Sequence, residues 1–374
     1  MSLHLHWFLP TSGDGREVAG VANDAAAAVR PPSLDYLAQV ARAAESLGFE
    51  AVLTPTGTHC NDAWITTAAL LRDTRTLKFL VAFRPGSISP TLAAQQAAAY
   101  QELSGGRLLL NVVTGGDQEE QRRFGDWLDH DERYDRTAEF LQVLRGAWSG
   151  TPFDFEGRHY RTAGATVARP PSPVPGVFFG GASPAGRDVA ARHADTYLTW
   201  TEPPATTGAL LDDVRARAAA VGRELSYGIR VHVISRDTTE EAWAVADQLR
   251  ARMDPAKVAL AKEKLARADS EGQRRQAAQT AAANDRLEVH PGLWAGYGLV
   301  RPGAGTALVG SHAEVADLLG QYAALGVEHV ILSGHPHLEE AYWFGEGVRP
   351  ILARQGLLPG AVVPQQVPAL AGVS

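Results

Sequence analysis

Cysteine and methionine are nearly absent from this 374-residue chain, with one and two copies. The lone thiol, Cys60, excludes an internal disulfide framework and any metal site built from several cysteines. No uninterrupted apolar stretch reaches about 18 residues, so no membrane-spanning helix is expected. Met1 to Pro10 shows no basic segment leading into an apolar one, so no signal peptide is expected and the setting reads as cytoplasmic and reducing. No block dense in Lys and Arg offsets the net charge of −7, which argues against a nucleic-acid partner. A small anionic substrate stays open, because a local arginine cluster can act inside an acidic protein.

Hydrophobic residues make up 45% and charged residues 21% of the chain, as in globular proteins and unlike disordered ones. At about 150 residues per domain the length suggests two domains, yet α/β barrels routinely run past about 250 residues as one. Short β-rich runs alternate with helical patterns. Strands are predicted at 3–9, 51–54, 77–82, 107–113, 177–180, 195–200, 228–235 and 329–333, the eight that a (β/α)8 TIM barrel needs. Helices are predicted between them at 34–47, 62–72, 91–103, 133–148, 185–192, 206–221, 240–252 and 313–325, with a last one at 339–352. Leu34, Leu37, Val40, Ala41, Ala44 and Leu47 fall at helical spacing, and Gly48 suits the left-handed residue after a helix. A doubly wound open sheet is the competing α/β arrangement, but no GxGxxG follows the first strand.

The expected organisation is one domain over residues 1–360, with insertions near 115–130 and 151–175. The second insertion reads as a β-hairpin at 153–168 followed by a Pro-rich link. A polar, glycine-containing excursion near 253–305 reads as a mobile lid, and 361–374 as a loose tail.

Ligands bind at the C-terminal ends of barrel strands. Polar residues gather at those ends: Thr56 to Asp62, Asn111 to Gly116, Thr199 to Glu202, Ser333 to His337. Arg230 and His232 stand two apart on one strand and so share a face. After the fifth strand, Gly180, Gly181 and Ser183 lead into Pro184, a start suited to a helix whose free amides could take a phosphate or simply a cap.

Several runs together resemble the two-component alkanesulfonate monooxygenases of the bacterial-luciferase-like flavin group. They include Trp7 to Thr11 with Gly13-Asp14-Gly15, Cys60-x-Asp62-Ala63-Trp64, Asn111-x-Val113-Thr114-Gly115, and Leu128-Asp129-His130-x-Glu132-Arg133-Tyr134. Tyr197 to Pro204, Gly228 to Ile234, Leu293 to Gly296, Gly303 to Gly310 and Pro336 to Tyr342 continue the match, in order, from residue 2 to about 352. The resemblance implies a luciferase-like barrel with insertions and a homotetramer. It implies reduced FMN from a separate NAD(P)H-dependent flavin reductase, O2 as co-substrate, and cleavage of an alkanesulfonate C–S bond to sulfite and an aldehyde. Alternatives are related oxygenation of methanesulfonate or dimethyl sulfone, or a deazaflavin-dependent oxidoreductase on the same barrel.

Carried over by position, Gly180, Gly181 and Ser183 would hold the FMN phosphate with His130 and Tyr134, while Asn111 and Thr114 would lie beside the flavin. For His130 and Tyr134 the alternative is ordinary helix-start packing. Arg230, His232 and Arg301 would take the sulfonate, since a guanidinium fork fits a tetrahedral oxyanion. Arg230 could instead pair with an acidic neighbour such as Glu202, and His232 could simply bond to backbone. Cys60 would shape the flavin pocket or pack inertly, and Trp200 would wall the flavin or substrate or merely pack. One departure stands at His335, where well-known members carry Tyr. Histidine titrates near neutrality and tyrosine does not. His335 and His337 alternate as metal ligands do, but with no carboxylate or cysteine partner in view no metal is expected.

Overall fold

The computed structural model describes residues 2–16, 29–266 and 269–360; the expected tail at 361–374 lies outside them. Eight parallel strands close into a barrel: β1 (His4–Phe8), β2 (Ala51–Thr54), β3 (Lys78–Phe83), β4 (Leu108–Val112), β5 (Val177–Gly180), β6 (Thr196–Trp200), β7 (Ser226–Arg236) and β8 (His329–Ser333). Each pairs with the next, and β8 returns to β1 through the register His4 to His329. The (β/α)8 expectation holds, with all eight strands within a residue or two of their predicted positions.

Side chains on a strand alternate between faces, and the alternation layers the barrel interior. Leu53, Leu80, Phe178, Leu198 and Ile331 form a closed apolar cluster across the middle, with Phe8 and Leu109 against it. Two residues further toward the strand C-termini the same face carries Asn111, Gly180, Trp200, Arg230 and Ser333. The apolar plug therefore floors a polar mouth. On the outside, the helix Leu34–Ser46 buries Tyr36, Leu37, Val40, Ala41 and Ala44 against the strands. Burying such an aliphatic side chain is worth about 1.5–3 kcal/mol. Ser33 caps the helix through Tyr36 N, and Gly48 leaves it at φ 79°, the left-handed conformation that glycine adopts without steric cost.

Phe153–Glu156 and Arg161–Ala165 pair as an antiparallel hairpin. The excursion after β7 contains the helices Pro255–Ala266 and Glu271–Ala282 and a small antiparallel pairing, Glu288–His290 with Leu293–Trp294. Neither that pairing nor the strand that follows it was foreseen. Ala307–Ser311 is a ninth parallel strand that pairs with the second half of β7, His232 to Arg236. It extends the sheet beyond the barrel because β7, at 11 residues, outruns its neighbour β6. The last predicted helix is a continuous helical run from His337 to Arg354, widened to π geometry over Trp343–Val348. No helix among the described residues is long and apolar enough to cross a membrane.

Candidate active site

One side of the mouth is built around Tyr134, in the helix His130–Ala147 that follows β4. Its hydroxyl lies against Ser183 and sits so close to the backbone of Gly181 and Gly186 that a Cβ on either would come within 3.0 Å of it. Glycine is required there by close approach rather than by backbone angle. Ser183 accepts from Gly186 N at 3.2 Å and starts the helix Pro184–His193. The His130 ring packs edge-on to Tyr134 at 5.0 Å. The fold thus gathers Gly180, Gly181, Ser183, His130 and Tyr134 into one cradle at a helix N-terminus, where anions are favoured. Arg133, 1% exposed, lies beside it with Nε and one terminal nitrogen unpartnered. Asp269 lies 3.6 Å from a terminal nitrogen. The sequence reading passed over Arg133, a charged residue inside a helical run that offers no other mark.

Asn111 closes the interior face of β4, and Thr114 stands two residues beyond the strand with its buried hydroxyl unpartnered. A phosphate in the cradle and a polar ring edge against Asn111 and Thr114 suit an FMN-like molecule. Cys60 stands apart from the arginines in the loop after β2. Its thiol faces the carbonyls of Pro55 and Gly57, and burial pushes its pKa up to about 11. It is a thiol rather than a thiolate.

The opposite side of the mouth is cationic. Arg230, buried on β7, donates to Ser333 Oγ at 2.8 Å and to Val231 O at 2.7 Å, and lies 4.9 Å over the Phe8 ring. Ser333 Oγ contacts His232 Nδ1 at 2.7 Å, and His232 Nε2 lies 3.2 Å from Ala304 O. Arginine can only donate and a carbonyl can only accept. The proton of Ser333 must therefore point to His232 Nδ1, and His232 carries its own on Nε2. Arg301 donates to His335 Nε2, which leaves the His335 proton on Nδ1. Burial, then the two arginines, hold His232 and His335 neutral with pKa values well below 6.5. Burial and the neighbouring Arg301 lower Arg230 to about 9.

No carboxylate lies within ion-pair reach of Arg230 or Arg301 among the described residues. Glu202, the neighbour that could have neutralised Arg230, is instead clasped by Nε and Nη2 of Arg275 of the excursion. The plainer alternative for His232 is partly realised in its bond to Ala304. The excursion is docked by a further contact, Gln276 Nε2 to Thr201 O at 3.2 Å, and is tied within itself by Gly303 N to Gln273 Oε1 at 3.0 Å. Trp200 is roofed by it, so that a Cβ on Gly272 would lie 3.0 Å from the indole.

The missing carboxylate partner for His335 and His337 is supplied by the fold. Asp14, after β1, has an oxygen within 4.8 Å of ring nitrogens of both. Its two oxygens accept from Gly15 N, His337 Nδ1, His337 N and the Tyr36 hydroxyl, and these contacts hold its pKa down at about 2 against the effect of burial. Those four donors and the Arg301 N–H at His335 account for the trio as a hydrogen-bonded network. Neither Asp14 nor Ser333 was singled out by sequence reading. Both are short polar residues next to a louder motif.

The closed barrel thus carries the Tyr134–Ser183 cradle on one side of its mouth and, on the other, two arginines with no carboxylate in ion-pair contact among the described residues. The chain belongs to the luciferase-like monooxygenase family, whose model matches residues 3–329. Its fold is similar to that of riboflavin lyase RcaE, solved with modified FMN and riboflavin (TM-score 0.81, 21% identity, covering 97% of this chain and 94% of that one). It is also similar to the long-chain alkane monooxygenase LadA (0.76, 19%, 96% and 92%) and to EDTA monooxygenase EmoA from Chelativorans sp. BNC1 (0.76, 20%, 96% and 95%).

Proposed function

We propose that the protein is an FMNH2-dependent alkanesulfonate monooxygenase, cleaving the C–S bond with O2 to release sulfite and an aldehyde. The observation that carries this reading is the pair Arg230, buried, and Arg301, half-buried, at the mouth with no carboxylate in ion-pair contact among the described residues. An unpaired buried cation is costly, and a sulfonate would compensate both. A cavity of about 180 Å³ reaches His335 and is lined by Arg16, Arg252 and the Arg236–Glu340 ion pair. Bound at the Tyr134–Ser183 cradle, FMN would supply the redox chemistry with O2. Arg230 and Arg301 orient the sulfonate, Trp200 and the docked excursion exclude water, and Asn111 and Thr114 offer polar contacts to the ring edge. The related dimethyl sulfone reading is disfavoured by charge, since a neutral sulfone compensates neither arginine. A deazaflavin-dependent oxidoreductase would need no sulfonate site. The proposal includes a separate NAD(P)H-dependent reductase, a homotetramer and a cytoplasmic setting.

The test supplies enzymatically reduced FMN, air and alkanesulfonates of graded chain length, and measures sulfite. Sulfite release from at least one sulfonate is expected. Folded, flavin-binding protein that releases none from any would refute the reading.

A further inference from the structure

Three histidines line the cationic mouth, and their ring nitrogens are not equivalent. His232 is consumed on both sides, by Ser333 and by Ala304. His335 has its acceptor nitrogen filled by Arg301. His337 alone faces a carboxylate: Nδ1 lies 2.9 Å from Asp14 Oδ1, and its backbone N donates to Oδ2 at 2.8 Å. Asp14 in turn is fixed by the Tyr36 hydroxyl, and Trp7 Nε1 fixes the His337 carbonyl at 3.1 Å. An ionised carboxylate accepts only, so His337 Nδ1 carries the proton and Nε2 presents a lone pair. That Nε2 is buried and has no partner. The ring stacks 5.5 Å from Phe8, the ring beneath Arg230, and lies 4.7 Å from His335.

We propose that His337 is the proton acceptor of this site, with Asp14 as its positioning residue. The inference rests on the sulfonate reading. In that reaction sulfonate, O2 and FMNH2 give aldehyde, bisulfite, FMN and water, and one C–H bond on the sulfonate-bearing carbon is broken. That proton goes to His337 Nε2, and its electron pair forms the first bond from carbon to oxygen as the O–O bond breaks, the other oxygen leaving as water with the two electrons supplied by FMNH2. The C–S pair then leaves with sulfite as the O–H pair becomes the second carbon–oxygen bond. A carboxylate behind the imidazole stabilises the imidazolium that forms, the arrangement used wherever histidine accepts protons in catalysis. Arg301, bonded to His335, and Arg230, over Phe8, hold the sulfonate end. The charged or titratable groups facing the dyad are Arg301, within electrostatic reach of Asp14, the Tyr36 hydroxyl, Tyr297 beside His335, and the neutral His232 and His335. The Arg30–Glu339 pair lies behind Tyr36.

The experiment uses full-length Asp14→Asn and His337→Gln proteins, each checked for melting temperature and FMN affinity, with an alkanesulfonate deuterated at the carbon bearing sulfur. The expected result is a kcat at least about 50-fold lower in H337Q with KM within threefold. The kinetic isotope effect of the deuterated sulfonate on kcat should rise in H337Q and in D14N, because proton transfer becomes slower. Asp14→Glu should restore part of the rate. An H337Q rate within threefold of wild type, or a D14N isotope effect equal to that of wild type, overturns the proposal. Nitrogen-15 NMR of the imidazoles decides the dyad without turnover: a neutral Nδ1–H tautomer for His337 supports it, and an Nε2–H tautomer overturns it. Wild-type protein that releases no sulfite sinks the sulfonate reading instead, and the tautomer measurement still rules on the dyad.

Discussion

At the scale of residues, the mouth is a chain of forced polarities: Arg230 donates to Ser333, Ser333 to His232, and His232 to the Ala304 carbonyl. Removing the middle link should be felt at both ends. Ser333→Ala leaves a buried imidazole nitrogen without a donor, a loss of about 1–3 kcal/mol. Roughly tenfold weaker sulfonate binding at unchanged FMN affinity is expected from titration calorimetry. An unchanged sulfonate Kd would show that the relay does not hold Arg230 in place. Arg230 itself should trade stability against function. A buried guanidinium with no carboxylate is unfavourable until an anion arrives, whereas methionine fills similar volume and retains contact with Phe8. Arg230→Met is therefore expected to raise the melting temperature of the ligand-free protein by a few degrees while abolishing sulfonate binding. A lower melting temperature would mean that the charge is already compensated.

At the scale of elements, the excursion is latched by the Arg275–Glu202 pair, whose carboxylate is almost fully buried. Breaking a buried pair from one side costs about 3–5 kcal/mol at most, and less here because Arg275 is partly exposed. Arg275→Met should expose 255–282 to limited proteolysis and lower kcat, while the barrel melts as before. Proteolysis at the wild-type rate would show that the latch does not hold the excursion down. The elements were largely legible in the sequence, because strand alternation and helix spacing depend on near neighbours. The boundary Gly48 and the hairpin at 153–168 were equally local. The strand at 307–311 was not, since it exists only because β7 is long enough to offer a second edge. The site divides the same way. Arg230 and His232 were visible as a two-residue step, whereas Asp14 meets His337 across 323 positions. Ser333 and Arg133 carry no local signal. What joins them is barrel closure, which no window of the chain contains.

At the scale of the whole molecule, the barrel separates two sets of histidines by its apolar floor. The upper set serves the mouth. The lower set, at the N-terminal ends of β1 and β8, holds His6 Nε2 3.0 Å from His329 Nδ1, with His4 stacked on His329 at 4.9 Å. This end of a barrel bears on stability rather than chemistry. Burial lowers His6 to about 3 and, with His4 beside it, His329 to about 4. The neighbouring Glu50 carboxylate, bonded to His4 and Lys78, is held well below the usual range. For a histidine with a depressed folded pKa, the unfolded chain binds protons first as pH falls below about 6.5. Their contribution is complete above that value and is lost progressively down to the folded pKa values near 4 and 3. His4 works the other way: its bond to Glu50 raises its pKa, so its contribution is lost as pH rises above about 6.5. The urea midpoint should therefore fall from pH 6.5 toward pH 4 as the sites of His6 and His329 lose stability, with His4 opposing them. His6→Leu keeps an apolar body between Phe178 and His329 while deleting one titrating group. It should make that fall shallower by up to about 1.4 kcal/mol per pH unit. Equal slopes in wild type and H6L across this window would show that the acid sensitivity arises elsewhere, in the histidines of the mouth.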